Sequence, residues 1–151
     1  MFKKHIIVPF QLLSIDGDGF HLLIQVELNG QSAQLLVDTG ASRTVFDRER
    51  MRTYIPDAEF LPAEKPSTGL GTDSMEGHLT RLDSFRIGSL ELRDLEIVLL
   101  DLAHVNQSYG SIGLTAIDGV LGSDLMSGHE AVIDYGKKEI RLRKNQAENK
   151  D

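Results

Sequence analysis

The chain has 151 residues, 40% of them hydrophobic and 26% charged, with a formal net charge of −7. That is a globular composition, long enough to bury about 70% of the surface the unfolded chain exposes. With no cysteine, disulfides and thiolate chemistry are excluded; the acidic balance argues against nucleic acid, whose phosphates demand a basic face.

The first residues, MFKKHIIVPFQLL, carry two lysines and an apolar run broken by Pro9 and Gln11, with no small-residue cleavage site. They make a poor secretory leader, and residues 1–10 are taken as an N-terminal extension. No segment has the length that spans a bilayer, so no membrane partner is expected. The cytoplasm is favoured, with a periplasmic or secreted form after leader removal left open. FHLLIQVEL (20–28) and QSAQLLVD (31–38) flank Asn29-Gly30, a strong two-residue hairpin signal. With the glycine turn IDGDGF before them, residues 11–38 form a predicted three-stranded meander. FDRERMRTYI (46–55) sets Phe46, Met51 and Tyr54 among charges and suggests a short surface helix.

Residues 65–79 are rich in Gly, Ser and Thr, either a plain loop or a hairpin that closes over something. TRLDSFRIGSLELRDLEIVLLDL (80–102) predicts two or three strands with a turn at Gly88-Ser89. GSDLMSGH carries an N-cap-like Ser123 and a stop at Gly128, a helix of about one and a half turns. AVIDYGKKEIRLR (131–143) is a last hairpin around Tyr135-Gly136, and the polar stretch 145–151 is a frayed tail. The lysines and arginines of 137–144 alternate with apolar residues, which marks a solvated face. There is no repeat and no second domain, so 1–151 is one domain.

Other chemistries find little support. DGDG at 16–19 hints at a calcium loop, but Phe20 stands where a further acid is needed. The five histidines, at 5, 21, 78, 104 and 129, lack metal-ligand spacing. GSIGLTAIDG (110–119) has no P-loop lysine. Neither metal nor cofactor is expected.

Many short strands, little helix and an Asp-Thr-Gly at a strand end resemble the aspartic proteases, and within them the single-lobe, retropepsin-like type. Three blocks carry the resemblance: LVDTGAS (36–42), STGLGTDSMEG (67–77), and DGVLGSDLM (118–126) followed by VIDYGKKEIRL. A bare Asp-Thr-Gly is weak; flanked and paired in this way it is specific. The resemblance implies an all-β, single-lobe acid-protease closed barrel with one or two short helices and a flap hairpin. It implies an aspartic endopeptidase in which Asp38, Thr39 and Gly40 form the catalytic loop. Ala41, Ser42, Val120, Leu121 and Gly122 support that loop, and Gly69, Leu70, Gly71 and Thr72 form the flap that meets a polypeptide substrate. The flap tyrosine of pepsin-like relatives is absent here.

Two carboxylates close together cannot both ionise, so one keeps a proton and the other acts as base toward water. The sequence has a single Asp-Thr-Gly, so the second carboxylate is expected from Asp38 of another copy, in a homodimer. Asp118, before the VLG block, is not counted in the site. Two alternatives stay open: a non-catalytic retropepsin-like dimerisation or peptide-binding module, and a monomer whose lone carboxylate is structural.

Overall fold

The computed structural model describes residues 5–15, 17, 19–63 and 77–144. The flap positions Gly69, Leu70, Gly71 and Thr72, the DGDG acids Asp16 and Asp18, and the tail 145–151 lie outside the described residues.

Asn29 and Gly30 both take positive φ, 50° and 82°, the mirror-image turn whose twist suits a two-residue hairpin. They join β3 (Phe20–Leu28) to β4 (Gln31–Val37), paired from Leu28↔Gln31 to Leu22↔Val37. β2 (Gln11–Ser14) adds to the far edge of β3, completing the expected meander. A second long hairpin joins β7 (His78–Ile87) to β8 (Leu90–Leu100). Its turn holds Gly88 at φ 58°. β7 returns to β3 through Glu27↔Arg86 and Leu28↔Phe85.

Two three-residue strands close the circuit. β5 (Val45–Asp47) runs parallel to β8, and β9 (Gly119–Leu121) lies between β4 and β5, parallel to the first and antiparallel to the second. The order β3-β4-β9-β5-β8-β7, with β7 back on β3, is a closed six-stranded barrel. β2 and the short β6 (Leu61–Pro62) flank it.

A separate sheet has the order β1-β11-β10, from β1 (His5–Pro9), β11 (Glu139–Arg143) and β10 (Val132–Asp134). The N-terminal extension therefore supplies a strand. Alternation explains the sorting of the core. Leu22, Ile24, Val26 and Leu28 of β3 and Ala33, Leu35 and Val37 of β4 enter the main core with Phe46 and Phe85, whose rings meet edge to face at 5.7 Å. The opposite face carries a smaller cluster, Leu23 with Val45, Val98, Leu100, Tyr109 and Val120.

Three helices are present among the described residues, where one or two were expected. α1 (Arg48–Tyr54) starts two residues later than the predicted helix, because Phe46 and Asp47 are claimed by β5. The Asp47 carboxylate caps it by accepting the Arg50 N–H, a standard remedy for unpaired first-turn donors. α3 (Ser123–Gly128) has Gly122, not Ser123, as N-cap, since the Ser123 N–H is drawn to the Ala41 carbonyl. α2 (Ala103–Ser111) was not foreseen. It has no side-chain cap and buries a single residue, Tyr109, so it carries neither of the signals that mark helices in sequence. No helix of the described residues is long and apolar enough to cross a membrane.

Asp118 is buried just before β9 and serves the architecture. One carboxylate oxygen accepts the Gln34 N–H at 2.8 Å and the other the Arg50 Nε–H at 2.7 Å. Nearby, Tyr54 donates to the Ser32 carbonyl. Burial foremost, and then the Asp118 charge, push the Tyr54 hydroxyl up to about 12 from 10.0. Its folded-state proton is held more tightly than the unfolded-state one, so this contribution to stability is complete below pH 10.0 and declines as pH rises toward about 12. Ultraviolet titration of tyrosinate should show late ionisation to which Tyr54 and the buried Tyr109 both contribute, the part ending at about 12 being lost in Tyr54→Phe; a late component left unchanged by Tyr54→Phe would contradict it.

Candidate active site

β4 ends at Val37 and the next residue, Asp38, is fixed by its backbone: its N–H donates to the Leu121 carbonyl of β9 at 3.0 Å. The chain then turns sharply. The Asp38 carbonyl accepts the Ala41 N–H at 3.1 Å, and the Asp38 Oδ1 accepts the Gly40 N–H at 2.9 Å. This is the turn an Asp favours, its own side chain capping the backbone two residues on. Asp38 is half-buried, whereas Thr39, Gly40 and Ser42 are exposed and Ala41 is buried. Oδ2 of Asp38 accepts no bond from the described residues.

The expected supporting residues, 80 positions away, converge on the same turn. Val120 and Leu121 are each 1% exposed. The Ser123 N–H donates to the Ala41 carbonyl at 2.8 Å, and the Gly122 N–H to Thr44 Oγ1 at 3.0 Å. A Cβ on Gly122 would lie 2.6 Å from the Arg43 carbonyl group and 2.9 Å from the Ala41 oxygen. The glycine is therefore required by close approach of backbone to backbone. Gly119 meets the same constraint, its Cβ falling 2.6 Å from the Val45 oxygen.

Two residues of this support were not singled out from sequence. Thr44 donates its hydroxyl to Asp124 Oδ1 at 2.7 Å, and its N–H to the same carboxylate. Asp124 thus clamps the return of the Asp38 loop to the first turn of α3. No local signal could have found the pair, because the partners stand 80 positions apart in the chain.

The acids on neighbouring elements are already engaged. Asp47 accepts the N–H groups of Arg50 and Leu102, Asp101 that of Ala103, Asp118 serves Gln34 and Arg50, and Asp124 serves Thr44. Among the described residues, Asp38 and Asp101 alone of these five bond only the N–H two residues on and keep one oxygen unengaged, and of the two only Asp38 stands in the loop held by β9. On the side of the sheet away from the main core, the partly buried Leu36, Leu13, Val105 and Leu114 pack on the smaller cluster and make an apolar floor. Among the described residues no group of three or more His, Asp or Glu could hold a metal ion.

A methyl group at position 122 has no room, so Gly122→Ala should destabilise the protein by about 1–3 kcal/mol, the range for overpacking a filled site. Thr44→Val, which keeps shape and removes the hydroxyl, should cost about 1–3 kcal/mol by leaving the Gly122 N–H unpaired. Urea unfolding of both variants measures this, and an unchanged midpoint for Gly122→Ala would refute the close approach.

Comparison with known proteins bears on the whole arrangement. The family described as aspartyl protease matches residues 24–125, a span that holds the Asp38 turn, β9 and the start of α3. The crystal structure of a retropepsin-like aspartic protease from Rickettsia conorii aligns with a TM-score of 0.56 at 19% identity, covering 95% of this chain and 93% of that one. The retroviral protease-like domain of Ddi1 from Leishmania major aligns with a TM-score of 0.48 at 14% identity, over 77% of this chain and 82% of that one. At these identities the Rickettsia likeness is one of fold. None of the curated proteins matches the chain.

Proposed function

The chain belongs to the aspartyl protease family, and from that premise we propose that it is an endopeptidase whose catalytic pair is Asp38 from each of two copies. One observation carries the reading. Asp38 stands in an exposed turn fixed by β9 and keeps one oxygen unengaged, whereas Asp47, Asp118 and Asp124 have both carboxylate oxygens engaged by N–H groups, Thr44 or Arg50. A pair that shares one proton needs a second carboxylate equally free, and an identical loop across a two-fold axis is the simplest source. Exposure of Thr39 and Gly40 suits a loop that meets its own copy.

In this mechanism the ionised Asp38 takes a proton from a water held between the two carboxylates. The protonated one donates to the carbonyl oxygen of the scissile peptide. As the tetrahedral intermediate collapses, the proton passes to the leaving nitrogen. The chain's own contribution is position: β4 and β9 hold the loop through the Asp38–Leu121 bond, and the Thr44–Asp124 clamp holds its far side. The apolar floor takes an extended polypeptide.

Asp38→Asn keeps the side chain's shape and cannot cycle a proton, so cleavage of a mixed peptide pool between about pH 4 and 7 should fall by roughly 10²–10⁴-fold. Sedimentation or scattering should show wild type and variant as the same dimer. If both cleave alike, the activity lies elsewhere and the assignment fails. If neither cleaves and both are dimers, a peptide-binding module replaces the protease; a strict monomer at high concentration removes the pair altogether.

A further inference from the structure

His21 and Tyr109 come from opposite parts of the chain and meet beside the candidate site. The His21 Nδ1 lies 2.8 Å from the Tyr109 hydroxyl, with the two rings 5.7 Å apart. Tyr109 is 2% exposed and belongs to the smaller cluster with Leu23. The β3–β4 ladder ends at Leu22↔Val37; one step beyond those partners stand His21 and Asp38. Alternation places both on the face of Leu23 and Leu36. On its other side His21 pairs with Leu13 of β2, an apolar neighbour of the floor.

The hydrogen bond settles which ring nitrogen is left for a ligand, because Nδ1 is committed to Tyr109. Burial pushes the Tyr109 hydroxyl up, so it keeps its proton, and His21 Nδ1 is the partner it has among the described residues. A buried hydroxyl whose one partner is Nδ1 avoids an unpaired O–H by donating there. A neutral imidazole accepting at Nδ1 carries its proton on Nε2. The half-buried ring thus offers an N–H donor from an otherwise apolar wall. A donor fixed in such a wall discriminates sharply, because a substrate side chain without an acceptor leaves it unpaired.

We propose that His21, oriented by Tyr109, is a specificity-determining residue that selects polypeptides carrying an acceptor side chain, Glu, Gln, Asp or Asn, close to the scissile bond. The inference deepens the protease reading and rests on it for the word scissile; the recognition itself needs only that a peptide lies along the Asp38 face. Tyr109 is a positioning residue that fixes the tautomer. Among the described residues, the titratable groups facing His21 are Tyr109 of α2, by its hydrogen bond, and Asp38 at the end of β4, by strand register, and β2 contributes none.

Arrays of octapeptides in which each position in turn is Glu, Gln or Leu test it in two readouts, cleavage by wild type and binding by Asp38→Asn. At one position Glu and Gln should exceed Leu by about tenfold, the worth of one good hydrogen bond. His21→Phe should abolish that ratio through KM with kcat held within about twofold, and His21→Gln, which keeps a donor, should restore part of it. Nitrogen-15 spectra should show a single Nε2–H tautomer for His21 that becomes mixed in Tyr109→Phe. An unchanged Glu-to-Leu ratio in His21→Phe, with Asp38-dependent cleavage intact, overturns the inference and leaves the protease standing. No cleavage by wild type, with a His21-dependent ratio in binding, sinks the protease and supports the inference. Arrays that are neither cut nor bound overturn both.

Discussion

Backbone runs against backbone where β9 passes between β4 and β5, and the molecule depends on that contact. Only a residue without Cβ can occupy positions 119 and 122, where added carbons would sit 2.6 Å from the Val45 and Arg43 main chain. The approach lets a three-residue strand complete a six-stranded barrel. It also brings the Leu121 carbonyl to the Asp38 N–H. The same strand therefore closes the fold and fixes the loop that carries the candidate chemistry.

Around that contact the carboxylates divide by what they are given to bind. A buried ionised acid is tolerated only when paired and hydrogen-bonded. Asp47, Asp118 and Asp124 meet the condition with backbone N–H groups, Thr44 and Arg50. Their bonds join strands to helices and leave little capacity for chemistry. Asp38 has its own turn for a partner and faces outward with capacity to spare. Hydrogen bonding rather than residue type thus separates Asp47, Asp118 and Asp124, which hold the structure, from Asp38, which can act.

The second cluster has a comparable double use. Leu23, Val98, Leu100 and Val120 back the barrel on the face that bears Asp38, and α2 covers part of it through Tyr109. An apolar wall so placed excludes water from the strand ends. It also gives the His21–Tyr109 pair a setting in which a single hydrogen bond matters, since polar groups in apolar surroundings cannot exchange freely with solvent. The Rickettsia conorii enzyme shares the overall fold along nearly the full chain at 19% identity, which agrees with a scaffold set by backbone approach and alternation more than by particular side chains.

Local physics made much of this legible in advance. Asn29-Gly30 and Gly88 announce their hairpins because positive φ is cheap there, and alternation in β3 and β4 shows the core face. The strings around Asp38 and Gly122 identify the loop and its support. The start of α1 was misplaced because β5 takes Phe46 and Asp47 by pairing with β8. Ser123 lost the cap because its N–H goes to Ala41, and α2 was missed because its one buried residue answers to a distant histidine. By itself, then, the sequence determined the long hairpin strands, their turns and the residue types of the loop, all set by interactions within a few positions. Tertiary structure alone decided that Asp118 and Asp124 are bound and that His21 meets Tyr109. Those outcomes hang on contacts between residues some 80 positions apart, whose geometry exists only once the barrel has closed.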